Sequence, residues 1–357
     1  MKKIDITLLI PTVFLTLFGL FMIYDGSSYV AFRDFADKYH YIKDQFFWVI
    51  LGIISLLCFA NFNYHKLYNL SLPILSFAIF LLILVFIPGI GVHLLGANRW
   101  IDLKFFLLQP AEFVKLGLAI YLSAWFSSKE KGRLLAFLLL LALLILLIIL
   151  EPDMGTAAVI LSEALAIYFL SGSNILYFVS LLPVLGIISI LIIKISPYRA
   201  KRLEEFLSLN QSVDTSSYHV KQILIALGSG GLTGVGLGNS LQKYAYLPET
   251  ASDSIFAIIG EEFGFIGASL IILVFMFVVW RGFYIARHAR DKFGKLLAGG
   301  ITTFLATQAI INLGSQTALL PLTGIPLPFI SYGGSALIVD LCSIGILLNI
   351  SKQRIDA

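Results

Sequence analysis

The chain has 357 residues, of which 59% are hydrophobic and only 13% are charged, with a formal net charge of +4. This composition excludes an ordinary soluble domain and indicates a polytopic membrane protein. The positive charge lies mostly in short loops, which indicates membrane topology rather than nucleic-acid binding. Cys58 and Cys342 both fall in apolar runs, so neither a disulfide framework nor a thiol-metal site is predicted.

Apolar runs of about 17 to 20 residues recur along the chain, and roughly 20 helical residues cross the hydrocarbon core of a bilayer. They predict an all-α polytopic membrane protein, a single domain over residues 1–357, with about ten transmembrane helices. The first run lacks a small-x-small cleavage site and is expected to remain as a helix. The predicted spans are 8–24, 45–61, 70–87, 109–126, 134–150, 155–171, 175–194, 264–285, 295–313 and 333–350.

Basic residues are divided unequally between the two sets of short loops. With the N-terminus in the cytoplasm, the short cytoplasmic connections and the adjoining span ends hold thirteen Lys and Arg residues and the short opposite loops hold five. This bias predicts that both termini are cytoplasmic. The segments then expected to face outward are 25–44, 88–108, 195–263 and 314–332.

The first polar signal within these segments is in residues 96–115, which read GANRWIDLKFFLLQPAEFVK. Pro110 suits the first turn of the fourth span. Glu112 and Lys115 are three residues apart and therefore share one face of that helix. Two interpretations are open: a self-satisfied intramembrane ion pair, or a polar wall of a cavity.

Other carboxylates are weaker candidates for function. Glu163 and Asp340 lie inside predicted spans, where hydrogen bonds between helices would account for them. Between the fifth and sixth spans, Asp153 or Thr156 is placed to cap the next helix. Glu151 and Asp153 alone make a weak metal signal, and the five histidines show no zinc-ligand spacing.

The loop of about 195–263 is far longer than the others, and long loops without a fold of their own are usually functional. It begins with a basic patch at 196–202, which suits either an interfacial anchor near anionic headgroups or contact with substrate. Residues 218–229 predict a short amphipathic helix lying on the membrane. The spaced glycines that follow predict tight turns and close backbone approach, since no strand precedes them to form a nucleotide-binding loop.

The stretch 246–267 closes this loop and places Glu249, Asp253 and the pair Glu261/Glu262 around a short apolar run. A carboxylate near hydrocarbon is costly unless it faces a wet cavity or a partner, so it indicates a functional site. We predict that Asp253 is the reacting carboxylate of an enzyme that acts on a lipid-linked substrate at the outer face.

The last outward segment, within residues 312–335, contains three prolines that break any helix: Pro321, Pro326 and Pro328. Irregular backbone near membrane depth is tolerated where protein covers it or a wet cavity adjoins it. The segment therefore predicts a re-entrant or cavity-lining turn.

Together these segments resemble the shape, elongation, division and sporulation family of bacterial membrane glycosyltransferases, the relatives of FtsW, RodA and SpoVE. The resemblance runs the whole chain and is carried in order by NRWIDL, QPAEFVK, EPDMGT, the long loop and PLPFISYGGS. Within the family, the loop segment GSGGLTGVGLGNSLQKYAYLPE is most similar to FtsW. Where the family usually has HTDFIF, residues 251–256 read ASDSIF, which keeps the aspartate and lacks the histidine.

The resemblance implies that the chain polymerises lipid II, the undecaprenyl-diphosphate-linked disaccharide pentapeptide, into peptidoglycan glycan strands without a nucleotide. An inverting transfer with Asp253 as general base is the simplest chemistry. Cationic side chains, or a divalent cation such as Mg²⁺ or Mn²⁺ whose ligands are unknown, would neutralise the departing diphosphate. The expected substrate-binding residues are Arg99, Glu112, Lys115, Glu249, Ser331 and Tyr332.

The same resemblance implies a place in the bacterial cytoplasmic membrane, a class B penicillin-binding protein as transpeptidase partner, and other division proteins, with no nucleic acid. Two other functions remain open. A lipid II flippase or transporter would also use about ten spans with buried charges, although the polar signals gather on one side. A scaffold that only recruits partners would leave the carboxylate beside so many Gly and Pro breaks unexplained.

Overall fold

The computed structural model describes residues 4–94, 97–104, 106–128, 134–173 and 218–353, with residues 186, 200, 203, 204 and 206. Ten α-helices and one small sheet form this described part. The helices are α1 (Ile6–Phe35), α2 (His40–Asn61), α3 (His65–Leu84), α4 (Pro110–Ser127), α5 (Leu134–Leu150), α6 (Met154–Leu170), α7 (Tyr218–Gly230), α8 (Ile255–Arg287), α9 (Lys292–Gln316) and α10 (Gly334–Lys352).

Nine of the ten predicted spans correspond to described helices, namely α1–α6 and α8–α10. Within the described residues, six helices are long and apolar enough to cross a membrane, and α5 and α6 are shorter apolar helices. The seventh predicted span, 175–194, and most of the basic patch at 196–202 lie outside the described residues. The predicted amphipathic helix at 218–229 is confirmed as α7. The chain is a multi-pass membrane protein.

Two predicted boundaries are wrong. Helix α1 continues to Phe35 instead of ending at residue 24, and α8 begins at Ile255 instead of 264. A run of apolar residues indicates which part of a helix lies in the hydrocarbon. The helix itself ends where the backbone leaves helical geometry, as α1 does at Ala36, whose φ and ψ lie in the left-handed region. In α8 the break that the pattern places at the helix start is a kink at Gly264, where φ is 67° and ψ is −168°.

The segment 88–108 also differs from the loop that was expected. It forms an antiparallel sheet of β1 (Gly91–Leu94), β2 (Ala97–Asp102) and β3 (Leu107–Leu108), in the order β1-β2-β3. The strands are too short to give a clear alternating pattern in the sequence.

Helices α9 and α10 form the centre of the bundle. The most apolar stretches of α9 and α10 are 67% and 89% buried. In α1, α2, α3 and α8 most of the corresponding stretch is not buried, as in lipid-facing helices. Small residues bring α2 and α10 together: a Cβ built on Gly345 would lie 2.6 Å from the backbone oxygen of Leu56.

The two ends of the bundle have different polar contacts. At one end, Arg281 pairs with Asp5 at 2.7 Å, and the Tyr64 hydroxyl donates to Asp291. At the other end lie Asp253, the small sheet and the irregular segment 317–333 between α9 and α10. We call this second end the Asp253 end.

Candidate active site

Asp253 lies in a loop of residues 249–254, here called the Asp253 loop, directly before α8. The side-chain amides of Asn312 and Gln316 donate to the backbone oxygen of Asp253 at 3.1 and 2.8 Å. The Asn312 amide also donates to the backbone oxygen of Ile325 at 2.8 Å. One face of α9 therefore holds both the Asp253 loop and the segment after α9.

The two residues before Asp253 are held from the other side. The backbone N–H of Tyr332 donates to the oxygen of Ala251 at 2.8 Å, and the Ser331 hydroxyl donates to the oxygen of Ser252 at 2.6 Å. The Ser331 oxygen also accepts the N–H of Leu327 at 2.8 Å. Both predicted residues are thus beside Asp253 and position its backbone, while direct substrate contact stays a prediction.

Asp253 is half-buried, and its carboxylate lies close to Gly324. A Cβ built on Gly324, whose φ is +75°, would lie 3.2 Å from Oδ2 of Asp253. Glu249 is exposed on the same loop, with φ of 53°, and its carboxylate accepts the Ser252 hydroxyl at 2.8 Å. A rigid backbone with a reachable carboxylate suits proton transfer to or from a bound ligand.

The sequence interpretation missed three residues of this site: Asn312, Gln316 and His219. A ring nitrogen of His219, on α7, lies 2.8 Å from the hydroxyl of Ser254, next to Asp253. The sequence signal for the amides was available, since two polar residues four positions apart share one face of an otherwise apolar helix. For His219 there was no local signal, because its contact depends on how α7 packs.

Arg99 lies on β2, and its guanidinium donates to the backbone oxygens of Glu151, at 3.0 Å, and of Pro152. The next residue, Asp153, caps α6 by accepting the N–H of Thr156 at 3.0 Å, as predicted. Arg99 therefore joins the small sheet to the turn between α5 and α6. Its contact with substrate stays a prediction.

Glu151 in that turn is fully buried, and burial raises its pKa from 4.5 to about 9, with Asp153 adding to the rise and Arg99 opposing it. The folded chain then keeps a proton that the unfolded chain loses, so stability should fall as pH rises from about 4.5 towards 9. We expect the melting temperature of Glu151→Gln to equal that of wild type at pH 4 and to be a few degrees higher than that of wild type at pH 8. Equal melting temperatures at both pH values would contradict this burial effect.

Glu112 and Lys115 form the predicted ion pair, at 2.7 Å, with both side chains 2% exposed. Lys115 also donates to the Gln308 side chain at 2.5 Å, and Gln308 donates to the backbone oxygen of Pro326 at 3.2 Å. The ion-pair interpretation is confirmed, and a role in binding substrate stays a prediction. The pair is linked through Gln308 to the segment that packs on Asp253.

The glycine-rich stretch after α7 packs against the kink of α8. The N–H of Phe265 donates to the oxygen of Gly231 at 2.9 Å. A Cβ on Gly234 would lie 2.0 Å from the oxygen of Glu262, and one on Gly264 would lie 2.3 Å from the nitrogen of Gly234. The prediction of close backbone approach to a neighbouring helix is confirmed.

The acidic pair at the start of α8 is bound by this same loop. Lys243 pairs with Asp25 at 2.9 Å and with Glu262 at 3.0 Å, and the Ser240 hydroxyl donates to Glu261. Burial of Lys243 favours its neutral amine, but hydrogen bonds to the two carboxylates outweigh burial and raise the pKa of Lys243. These carboxylates are therefore structural partners that fix the loop on α8.

The whole set of motifs can be compared with known proteins. The family model described as Cell cycle protein, for FtsW, RodA and SpoVE, matches residues 6–355. The chain belongs to this family. The resemblance inferred from the motifs is confirmed across nearly the full length.

Members of the FtsW/RodA/SpoVE family from several bacteria are similar to the chain. Stage V sporulation protein E of Bacillus subtilis (strain 168) is 38% identical over 356 residues, covering 98% of this chain and 97% of the relative. A probable peptidoglycan glycosyltransferase FtsW of Geobacter sp. (strain M18) is 38% identical over 358 residues, covering 98% and 97%.

Solved structures share the fold of this family. A chain from a peptidoglycan synthase complex that coordinates polymerisation and crosslinking aligns with a TM-score of 0.78 at 24% identity, covering 98% of each chain. The rod shape determining protein RodA of Thermus thermophilus aligns with a TM-score of 0.71 at 24% identity, covering 99% of each chain. These likenesses support the architecture described above.

Proposed function

We propose that the chain is a peptidoglycan glycosyltransferase that polymerises lipid II into glycan strands, in cell division or other wall synthesis. The relatives named as probable peptidoglycan glycosyltransferases support this reaction. The observation that carries the assignment of the site is the Asp253 loop, in which Asn312 and Gln316 hold the backbone of the residue whose carboxylate is proposed to react.

In the proposed reaction Asp253 is the general base. Its carboxylate takes the proton of the acceptor 4-hydroxyl as that oxygen attacks the anomeric carbon of the donor sugar. A C–O bond forms on one face while the bond to the diphosphate breaks on the other, and the diphosphate leaves with the electron pair. A single displacement of this kind converts an α-linked donor into a β-linked product.

The remaining predicted site residues have two proposed roles. Arg99 and Lys115 supply positive charge towards the departing diphosphate, which stabilises the charge that develops in the transition state. The residues proposed to bind or orient the sugars are Glu112, Glu249, Ser331 and Tyr332. Ser331 and Tyr332 support this role through the backbone of Ala251 and Ser252, which they hold beside Asp253.

A groove between α2, α3, α4 and α10 is proposed to hold part of the polyprenyl tail. Its volume is about 440 Å³, and its lining is apolar, including Phe59, Phe77 and Phe113. Such a size is in the range of about 300–1,000 Å³ seen for ligand pockets. An apolar lining favours a hydrocarbon chain over a sugar.

The sequence also predicts a divalent cation as one way to neutralise the departing diphosphate. Among the described residues, no three His, Cys, Asp or Glu side chains come together as metal ligands. The divalent cation therefore stays a prediction, and the mechanism above uses only the chain's own groups.

We also propose the setting of the reaction. The excess of basic residues in one set of loops supports cytoplasmic termini and a site at the outer face of the bacterial cytoplasmic membrane. The likeness to a chain of a peptidoglycan synthase complex supports a class B penicillin-binding protein as partner. Other division proteins are further proposed partners.

The test is reconstitution of the purified full-length protein in liposomes with labelled lipid II, alone and with a cognate transpeptidase. Glycan polymer that disappears in Asp253→Ala supports the proposed reaction. Translocation of lipid II without polymer would instead favour the flippase, for which the buried charges of the bundle are the motivating observation. The absence of both polymer formation and translocation would favour a scaffold.

The role of Lys115 is separable from its structural pairing. We expect Lys115→Met to lose most polymerisation, because removing the ammonium releases Gln308, which is bonded to the segment that packs on Asp253. Breaking one side of a buried pair also costs about 3–5 kcal/mol, so the double variant Glu112→Gln/Lys115→Met is the matched control. Polymerisation restored in the folded double variant would show that the pair is only structural.

A further inference from the structure

A buried polar centre lies inside the bundle, one turn along α9 from the amide of Asn312 that holds the Asp253 loop. It joins four helices, α4, α6, α9 and α10, and each of its residues is at most 1% exposed. We call it the Lys115 centre. Its members are Glu112, Lys115, Glu163, Gln308 and Asp340.

The charges of the Lys115 centre do not balance if all its carboxyl groups are ionised, because three of them share one ammonium. That ammonium is already bound by Glu112 at 2.7 Å and by Gln308 at 2.5 Å. An ionised carboxylate in a low-dielectric interior is stabilised only by a partner or by hydrogen bonds, and otherwise it takes up a proton.

Glu163 is the member with the weakest support for a negative charge. It is 0% exposed, and no donor among the described residues binds either carboxylate oxygen. Lys115 acts on it only at the level of electrostatic attraction. Among the described residues no donor binds the carboxylate oxygens of Asp340 either, but the same ammonium and the backbone N–H of Phe329 both act on it. The hydrogen bond between helices that would have explained Glu163 is not formed within the described residues.

We propose that Glu163 is a proton-binding site inside the membrane domain and that it holds an exchangeable proton at neutral pH. The charged group that acts on it is Lys115 from α4, which also acts on Glu112 of α4 and Asp340 of α10, while α9 contributes the neutral Gln308. Polymerase activity is not required for this site, which stands apart from the proposed function.

Release of this proton has a structural consequence. An anion at Glu163 competes with Glu112 and Gln308 for the ammonium of Lys115. Gln308 is the group that donates to the backbone oxygen of Pro326, in the segment that packs on Asp253. The protonation state of Glu163 is therefore linked to the segment beside the Asp253 loop.

The test is infrared difference spectroscopy of the full-length protein in lipid nanodiscs, comparing wild type with Glu163→Gln. We expect wild type at pH 7 to show the C=O stretching band of a protonated carboxyl group, with a shift in D₂O and a loss in the variant. The matched control is Glu249→Gln, which changes an exposed glutamate and should remove only carboxylate bands. A Glu163 difference spectrum with carboxylate bands alone would overturn the proposal.

Two further measurements keep the result independent of the variant's folding. Incorporation of ¹³C-labelled glutamate into Glu151→Gln, which lacks the other buried glutamic acid protonated at pH 7, should shift the protonated band, whereas a band unmoved by the label would belong to Asp340 and overturn the assignment. Addition of NaCl to a sodium-free sample should leave the band unchanged. Conversion of the band to a carboxylate signal by sodium would show a metal-cation site instead of a proton site.

Discussion

Asp253→Asn is expected to lower lipid II polymerisation by at least about 100-fold, since a positioned general base contributes roughly 10²–10⁴ to rate. Asparagine has nearly the same shape and cannot accept the proton of the acceptor hydroxyl. The backbone oxygen at this position keeps its bonds from Asn312 and Gln316, so the fold should persist. The measurement is the rate of glycan formation by the purified protein with its partner.

The matched control for this experiment is Asp37→Asn. Asp37 pairs with Lys43 at 2.7 Å at the same end of the bundle, and its side chain is 39% exposed. An exposed pair contributes about 0–1 kcal/mol, so this variant should polymerise at the wild-type rate. A folded Asp253→Asn protein that retained a tenth or more of wild-type activity would place the general base elsewhere.

Gly234→Ala is expected to give the largest loss of stability among single substitutions in the glycine-rich stretch. The φ of Gly234 is +84°, and the new Cβ would lie 2.0 Å from the oxygen of Glu262 and 2.7 Å from the nitrogen of Gly264. The left-handed conformation alone costs an alanine about 1–2 kcal/mol. The overlap adds to this, because backbone on both sides would have to separate at the kink of α8.

Gly238→Ala separates these two contributions. Its φ is +78°, and within the described residues no atom lies within 4 Å of the Cβ that the substitution would add. Thermal melts in detergent should therefore show a small decrease for Gly238→Ala and a decrease at least twice as large for Gly234→Ala. Equal decreases would mean that the loop is not packed on the kink as described.

Short-range features were predictable from residues close together in the chain. The Glu112–Lys115 pair follows from a spacing of three on a helix, and the cap of α6 follows from Asp153 three residues before its hydroxyl partner Thr156. The amphipathic α7 follows from local periodicity. The continuation of α8 on both sides of the break was not predictable, because the conformation of Gly264 goes with the glycine-rich stretch that packs against it.

The sequence by itself determined the membrane class, the apolar helices and the family, because these depend on composition and on residues near one another in the chain. The assignment of Asp253 as the general base stays a prediction. Only the tertiary structure decided how Asp253 is held. Its loop is bound by Asn312, Gln316 and Ser331, which are separated from their partners by 59, 63 and 79 positions. Such contacts arise from the packing of α9 and α10 against the start of α8, and local sequence patterns do not specify that packing.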